Sequence, residues 1–440
     1  MTAFSPFDET LWHATAIPAP ATTPLEGEVT TDVCIVGGGY TGMTTAIELR
    51  RRGVEVTLLE AQEAGFGGSG RNAGHCTPTF VLASLDELRQ TLGRERGDRL
   101  IARQTKGADM AADFIRDYQI DCEWKQNGFF QGALMPSTMA SLEKKAESYA
   151  AAGCPSGLID AAEAERLTGS NRFYGGWLLK SGGHLNPLSY SRGLARACIQ
   201  EGVRLYTESR MTEAVREGAK WRLKTDKGSV LCDRFVMATG AYTDGGGMQV
   251  EKTYKIWRPL LAATNPLPED VRKQVVPFDG TMHDGRGDIF VYKYNREGRL
   301  VVSMFPRGKR GHDMPFTRQM LLDRLRWLHP QVPENTVWDY YWMGELDMQK
   351  TTIPRLYALG PGAVACTGLS GRGVPTGTML GGILADWAQD VPEAELALPV
   401  EKLSKAPPYM AIAPQMMLHW YAIKDNWAAK RQGVELPPHP

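Results

Sequence analysis

The sequence predicts an α/β protein in two intergrown parts. One is a parallel sheet assembled from separated pieces of chain, and the other is an antiparallel-sheet α+β unit interleaved with it. Three observations carry this. A strand–turn–helix–strand unit opens the ordered chain at Thr31, hairpin patterning dominates residues 250 to 345, and an α/β pattern with a second glycine cluster returns after residue 346.

The elements follow in order. Residues 1–30 are Pro- and Thr-rich and read as an extended arm. Thr31 to Val36 is a short apolar, β-branched run, hence a buried strand. A glycine turn follows from Gly37 to Gly42, then a helix over 43–52 that stops at Gly53, then a second buried strand, Val54 to Leu59, closed by Glu60. Such a βαβ opening demands a parallel sheet with right-handed crossovers. Leu85, Leu88, Leu92, Ala108, Ala111, Ala112 and Ile115 give residues 84–120 helical spacing. A strand is expected over 128–135 and helices over 138–152 and 189–200. Strands are expected at 203–207 and 234–238, with a hairpin around Asp226–Gly228. Residues 288–294 and 299–304 flank an Asn–Arg–Glu–Gly turn and form the clearest hairpin of the chain. A last glycine cluster, 368–377, opens a helix over 378–389. The sheet domain is therefore expected at 31–85, 150–245 and 346–395, the antiparallel domain at 86–149 and 246–345, and a helical extension at 396–440.

Composition excludes several function classes. In 440 residues, 50 basic side chains balance 50 acidic ones, so no global field recruits nucleic acid. Seven scattered cysteines form no C-x-x-C pair and no metal-ligand spacing, which suits free thiols in a reducing, cytoplasmic setting and implies no metal. No apolar run reaches the length of a membrane span. Met416, Met417, Trp420, Tyr421 and Trp427 form a stripe near the C-terminus that reads as a packing helix or a subunit contact in a homo-oligomer, not as a membrane anchor.

The chemistry begins at Gly37-Gly38-Gly39-Tyr40-Thr41-Gly42, a G-x-G-x-x-G turn between strand and helix. Its first glycine permits the turn, the second lets a pyrophosphate approach the backbone, and the third packs helix against strand. The helix N-terminus adds free N–H groups and a favourable dipole. Glu60, about twenty residues on and with Ala61 beside it, is placed to accept both ribose hydroxyls of an adenosine. The unit is thus Rossmann-like and binds a dinucleotide. Three features favour FAD over NAD. Gly67 to His75 is a small, donor-rich loop after the second strand. Ala238-Thr239-Gly240 ends a strand with small residues. Gly368 to Gly377 opens a helix whose dipole suits a flavin that gains negative charge on reduction.

With these motifs the chain, over residues 10 to 390, resembles the D-amino-acid-oxidase-like flavoproteins, the family of glycine and sarcosine oxidases. Gly65 to Gly74, Gly182 to Pro187, Ala238 to Gly240, Trp342 and Gly368 to Gly373 carry the resemblance, together with the first glycine turn. It implies FAD-dependent oxidation of a carbon–nitrogen bond, with hydride passing to the flavin, hydrolysis of an imine, and reoxidation by dioxygen to give hydrogen peroxide. It also implies that Ser69, Arg71, Asn72, Ala73 and Gly74 line the cofactor, that Gly371, Arg372, Gly373 and the adjoining Val374 cap the ring, and that Met211 meets the adenine. Sarcosine oxidases carry a lysine for oxygen activation on a strand that aligns with 299–303, where Arg299 is the only basic residue. A flavin dehydrogenase serving a quinone or carrier protein, and a non-catalytic FAD-binding subunit, are the alternatives.

For the reaction itself the candidates are His75, directly after the flavin loop, and Tyr292 and Tyr294 on one face of a strand. Arg258 is a candidate to hold a substrate carboxylate, as are Arg307 and Lys309. Trp342, with Trp257 and Trp338, suggests an aromatic-walled substrate site for a small amine or amino acid.

Overall fold

The computed structural model describes residues 6–244 and 246–438. Its first sheet is nine-stranded and centred on Gly27–Val36, which is flanked in parallel by Val56–Leu59 and Gly228–Met237. Arg204–Tyr206 extends the sheet on one side and Ala363–Thr367 on the other, again in parallel. Helices cover the sheet, so its central strands are apolar and buried on both faces. Tyr40–Arg51 and Gly373–Ala388, the helices that open from the two glycine clusters, pack side by side.

The second sheet has eight strands and is almost wholly antiparallel. The expected hairpin forms here, with Phe290–Tyr294 against Leu300–Met304. Helix Met314–Leu328 closes one face of this sheet, burying Leu321, Leu325 and Leu328 in one cluster with Tyr292 and Val302.

The structure redraws the sequence boundaries in four places. Ser156–Asp160 and Gly175–Leu179 fall in the stretch expected in the first sheet, yet they pair with each other and with Phe129–Gly132 in the second. The helical run 84–120 is three helices, broken at Gly93 and Lys106, and the last of them, Gly107–Asp117, packs on Gly373–Ala388. The expected strands at 230–232 and 234–238 are one continuous strand, Gly228–Met237. The arm is not simply extended. Thr10 caps a short helix, Leu11–Thr15, by accepting from the His13 N–H, and Leu11 and Trp12 are fully buried.

Candidate active site

The carboxyl ends of the first sheet's central strands open into a cavity of about 600 Å³, within the range of small-molecule sites. Its floor is the first glycine turn. Gly37 has φ +111°, and a Cβ there would lie 2.8 Å from the Ala238 carbonyl; one on Gly42 would lie 2.0 Å from the Gly37 carbonyl. Both positions are therefore closed to any side chain. Glu60 ends the neighbouring strand and is tied back to this turn: its carboxylate accepts from the Gly38 N–H (2.6 Å) and the Gln62 N–H (2.9 Å). Burial raises its pKa, and those N–H groups oppose the rise.

Gly37, Gly39, Tyr40, Thr41, Glu60, Ala61, Ser69, Arg71, Asn72, Met211, Ala238, Thr239, Gly240, Gly371 and Gly373 all border the cavity. The structure thus brings together six separated segments that the sequence singled out. Gly42 and Val374 are buried just behind the wall.

The loop over this cavity is held from behind by two indoles. Trp342 Nε1 donates to the Arg71 carbonyl (2.9 Å) and Trp12 Nε1 to the Asn72 carbonyl (2.8 Å), with their rings edge to face at 6.0 Å. Ala73 packs against this same apolar cluster. Asn72 finishes the turn by donating to the Ser69 carbonyl and accepting from the Gly74 N–H. The Arg71 guanidinium lies against the rings of both Phe7 and Phe66, which also touch each other. Trp342 is accordingly a support for the loop and not a wall of the substrate site.

The second glycine cluster is folded around Asp347. This buried carboxylate accepts from the Gly368 N–H (2.5 Å), and burial pushes its pKa up to about 6. Gly368, Ser370 and Gly371 all take positive φ, which turns the chain into helix Gly373–Ala388 and aims Arg372 away from the helix toward the second sheet.

Beyond this loop lies a cluster of basic side chains. The Arg372 guanidinium stands 5.7 Å from the Phe129 ring, its Nε has no hydrogen-bond partner among the described residues, and burial lowers its pKa to about 10. Lys145 Nζ lies 4.6 Å from the Trp177 ring and donates to Gln131 Oε1 (3.2 Å); burial, reinforced by Arg372, lowers its pKa to about 7. His283 is the cross-strand neighbour of Gln131 and packs edge to face on Phe129. Burial and the charges of Arg372 and Lys145 lower its pKa to about 3. His75 completes the group. Neither ring nitrogen has a partner among the described residues, and burial beside Lys293 and Arg372 holds its pKa well below the ordinary value.

The sequence reading of the tyrosines is corrected here. Tyr292 and Tyr294 point into the second core, their hydroxyls bonded to His329 Nε2 (2.8 Å) and the Val275 carbonyl (3.0 Å). Strand alternation turns Lys293 the other way. Its Nζ donates to the Leu185 carbonyl (3.1 Å) and lies 4.9 Å from the Trp12 ring, and a Cβ on Gly74 would lie 3.0 Å from its Cε. Burial lowers its pKa to about 8, opposed by Glu123 and Asp279. Arg299, the basic residue of the aligned strand, instead faces outward to Asp339 and Glu297.

Arg258 is committed to Glu345 (2.6 Å), so its charge is neutralised within the protein. Trp338 donates to the Arg318 carbonyl at the surface, and Trp257 packs on Phe305. Sequence reasoning missed Lys145, Gln131, His283 and Lys293. Only Lys293 left a signal, since a lysine between two tyrosines on a buried strand must face the opposite side from them.

Residues 32–387 match the DAO family, described as FAD dependent oxidoreductase, and the chain belongs to that family. It is an FAD-dependent oxidoreductase. The chain is 29% identical over 363 residues to "Probable oxidoreductase OrdL" of Haemophilus influenzae, covering 81% of this chain and 82% of that protein. It is also 29% identical over 365 residues to γ-glutamylputrescine oxidoreductase of Escherichia coli, covering 82% and 84% respectively. Among solved structures, L-amino acid deaminase from Proteus vulgaris superposes with a TM-score of 0.70 at 17% identity, over 86% of this chain and 94% of that one. Glycine oxidase from Geobacillus kaustophilus gives a TM-score of 0.66 at 19% identity, over 88% and 98%. These two likenesses establish the fold.

Proposed function

We propose that this enzyme oxidises a carbon–nitrogen bond of a small, carboxylate-bearing amine or amino acid, of the γ-glutamylputrescine type, with dioxygen as the electron acceptor. FAD, when bound, supplies the hydride acceptor. In this reading Glu60 takes the adenosine ribose, the Gly37–Gly42 turn and Ser69 take the pyrophosphate, and the loops ending in Gly74 and Gly371 enclose the ring.

The observation that carries the substrate class is the basic cluster. His75, Lys145, His283 and Arg372 converge where the flavin loop meets the second sheet, and among the described residues neither Lys145 nor Arg372 has an ion-pair partner. Those two cations, enclosed together without a counter-charge, are unfavourable, and a substrate carboxylate offsets that cost with charge-assisted hydrogen bonds. The γ-glutamyl group of the relative's substrate supplies such a carboxylate. His75, held neutral, offers a lone pair to the substrate amine, which must be deprotonated before hydride leaves the adjacent carbon. Lys293, on the far side of the loop, keeps a positive charge at neutral pH, and such a charge favours electron transfer to dioxygen.

A flavin dehydrogenase serving a membrane quinone is the second reading, favoured by one observation: an apolar face on the C-terminal helix that none of the described residues covers. The decisive experiment is the visible spectrum of the purified protein followed by anaerobic titration with amines. Bleaching by a carboxylate-bearing amine, then reoxidation by air with one peroxide per turnover, is the expected result. Bleaching without reoxidation by air selects the dehydrogenase. No bleaching by any amine or amino acid overturns the proposal.

A further inference from the structure

Helix Ala413–Gln432 is mounted firmly on the molecule and yet is apolar on both sides. Its inner face carries Leu418, Ala422 and Ala429, and the Asp425 carboxylate accepts from the Gly287 N–H (3.0 Å). Arg286 reaches across to Asn426 Oδ1 and the Pro437 carbonyl. Beneath them Arg324 bridges Asp284 and Asp288 in a fully buried ion cluster. The Ser137 N–H donates to Gln432 at the far end. A helix anchored along its length in this way presents its outer face in a fixed direction.

That outer face carries Ile412, Met416, Trp420, Ile423 and Trp427, at spacings of four, four, three and four, which place them in one row. Each is 60–64% exposed. Of the stripe expected from the sequence, Tyr421 turns inward to pack on Gly287, and the outward row is completed by the two isoleucines. A contiguous exposed row of this kind marks an interaction surface in a soluble fold.

The charges beside the row indicate what covers it. Lys424, Lys430 and Arg431 are exposed on the same helix, and its single acid, Asp425, is the one turned inward. Lys309 and Arg310 extend the basic rim, because their turn is tied to the helix through Gln415, which accepts from the Gly308 N–H and donates to the Pro306 carbonyl. A second copy of this face would oppose cation to cation. An anionic bilayer surface matches both features, taking indole and aliphatic side chains at the acyl boundary and cations at the headgroups.

We propose that this helix lies on an anionic membrane surface and makes the enzyme a peripheral membrane protein. No helix of the described residues is long and apolar enough to cross a membrane, so the attachment is interfacial. It does not depend on which amine the enzyme oxidises.

The test is co-sedimentation of the full-length, FAD-loaded protein with vesicles. The expected result is binding to vesicles of 30% phosphatidylglycerol in phosphatidylcholine, a blue shift of tryptophan emission, and at least tenfold weaker partitioning to pure phosphatidylcholine. W420S/W427S abolishes binding with unchanged flavin absorbance, and K424E/K430E/R431E abolishes only the dependence on phosphatidylglycerol. Failure of the wild type to bind either vesicle overturns the proposal. A dimer in light scattering that W420S/W427S dissociates, together with absent vesicle binding, assigns the face to self-association instead.

Discussion

The candidate cofactor groove and the basic cluster lie on either side of one loop, and they are built by opposite means. The groove is made of backbone. Its shape rests on places where a side chain is forbidden, such as Gly37 and Gly42, and on N–H groups that satisfy Glu60. The cluster is made of side-chain ends from five distant positions: 75, 131, 145, 283 and 372. A backbone site is written in short contiguous motifs. A side-chain site of this kind is written in no motif, because nothing local relates its members.

That difference can be broken or sharpened by substitution, and the groove should fail most abruptly. Gly42→Val drives a Cβ to within 2.0 Å of the Gly37 carbonyl. The expected outcome is protein without flavin, read as loss of the 450 nm band, while the far-ultraviolet dichroism of the remaining fold persists.

In the cluster the losses should be graded and specific to substrate charge. Arg372→Met and Lys145→Met each remove a charged hydrogen-bonding group, worth about 1.5–3 kcal/mol, or roughly 10- to 150-fold in kcat/KM. The comparison that isolates this is the acid substrate against its carboxamide, for which both variants should match the wild type. Equal losses on both substrates would remove the carboxylate from the reading.

The same comparison carries a pH signature. Lys145 is charged below its lowered pKa of about 7 in the free enzyme and neutral above it. The acid-over-carboxamide ratio of kcat/KM should therefore fall as pH rises through about 7, and Lys145→Met should flatten it. Lys293, whose pKa burial lowers only to about 8, is proposed for a different half-reaction. Its Met variant should slow reoxidation by dioxygen in stopped flow by about 10²-fold, the scale of losing one electrostatic stabiliser, and leave anaerobic bleaching intact.

The supports should show the smallest effects. Trp12→Phe leaves the Asn72 carbonyl without its indole donor, a cost of about 1–3 kcal/mol that thermal melting and FAD affinity would report together. Tyr292→Phe leaves the buried His329 Nε2 without its partner in the second core, so about 1–3 kcal/mol of stability is lost with no change in kcat. A large loss of kcat there would return Tyr292 to the active site.

Much of the fold was legible in the sequence, and for the same reason as the groove. Thr31 to Glu60 specifies strand, turn, helix and strand from residues in direct succession, and the hairpin at 290–304 is fixed by its turn and its alternation. Glycine positions set by steric contact, apolar periodicity and turn chemistry are local physics, and one sequence carries them whole. The assignment of Ser156–Asp160 and Gly175–Leu179 to the second sheet was not legible, because either sheet satisfies a short apolar strand. Nor was the inward direction of the Trp12 and Trp342 indoles, since only packing decides which carbonyl a buried N–H meets. The sequence by itself determined the parallel βαβ core, the first glycine turn and the small-residue loop after the second strand, through contacts between near neighbours in the chain. The tertiary structure alone decided that Lys145, His283 and Arg372 converge on His75, that Lys293 faces the loop while Tyr292 and Tyr294 do not, and that one row of the C-terminal helix is left outside. Each of those outcomes depends on how two sheets and their helices close on one another, and no single segment holds that information.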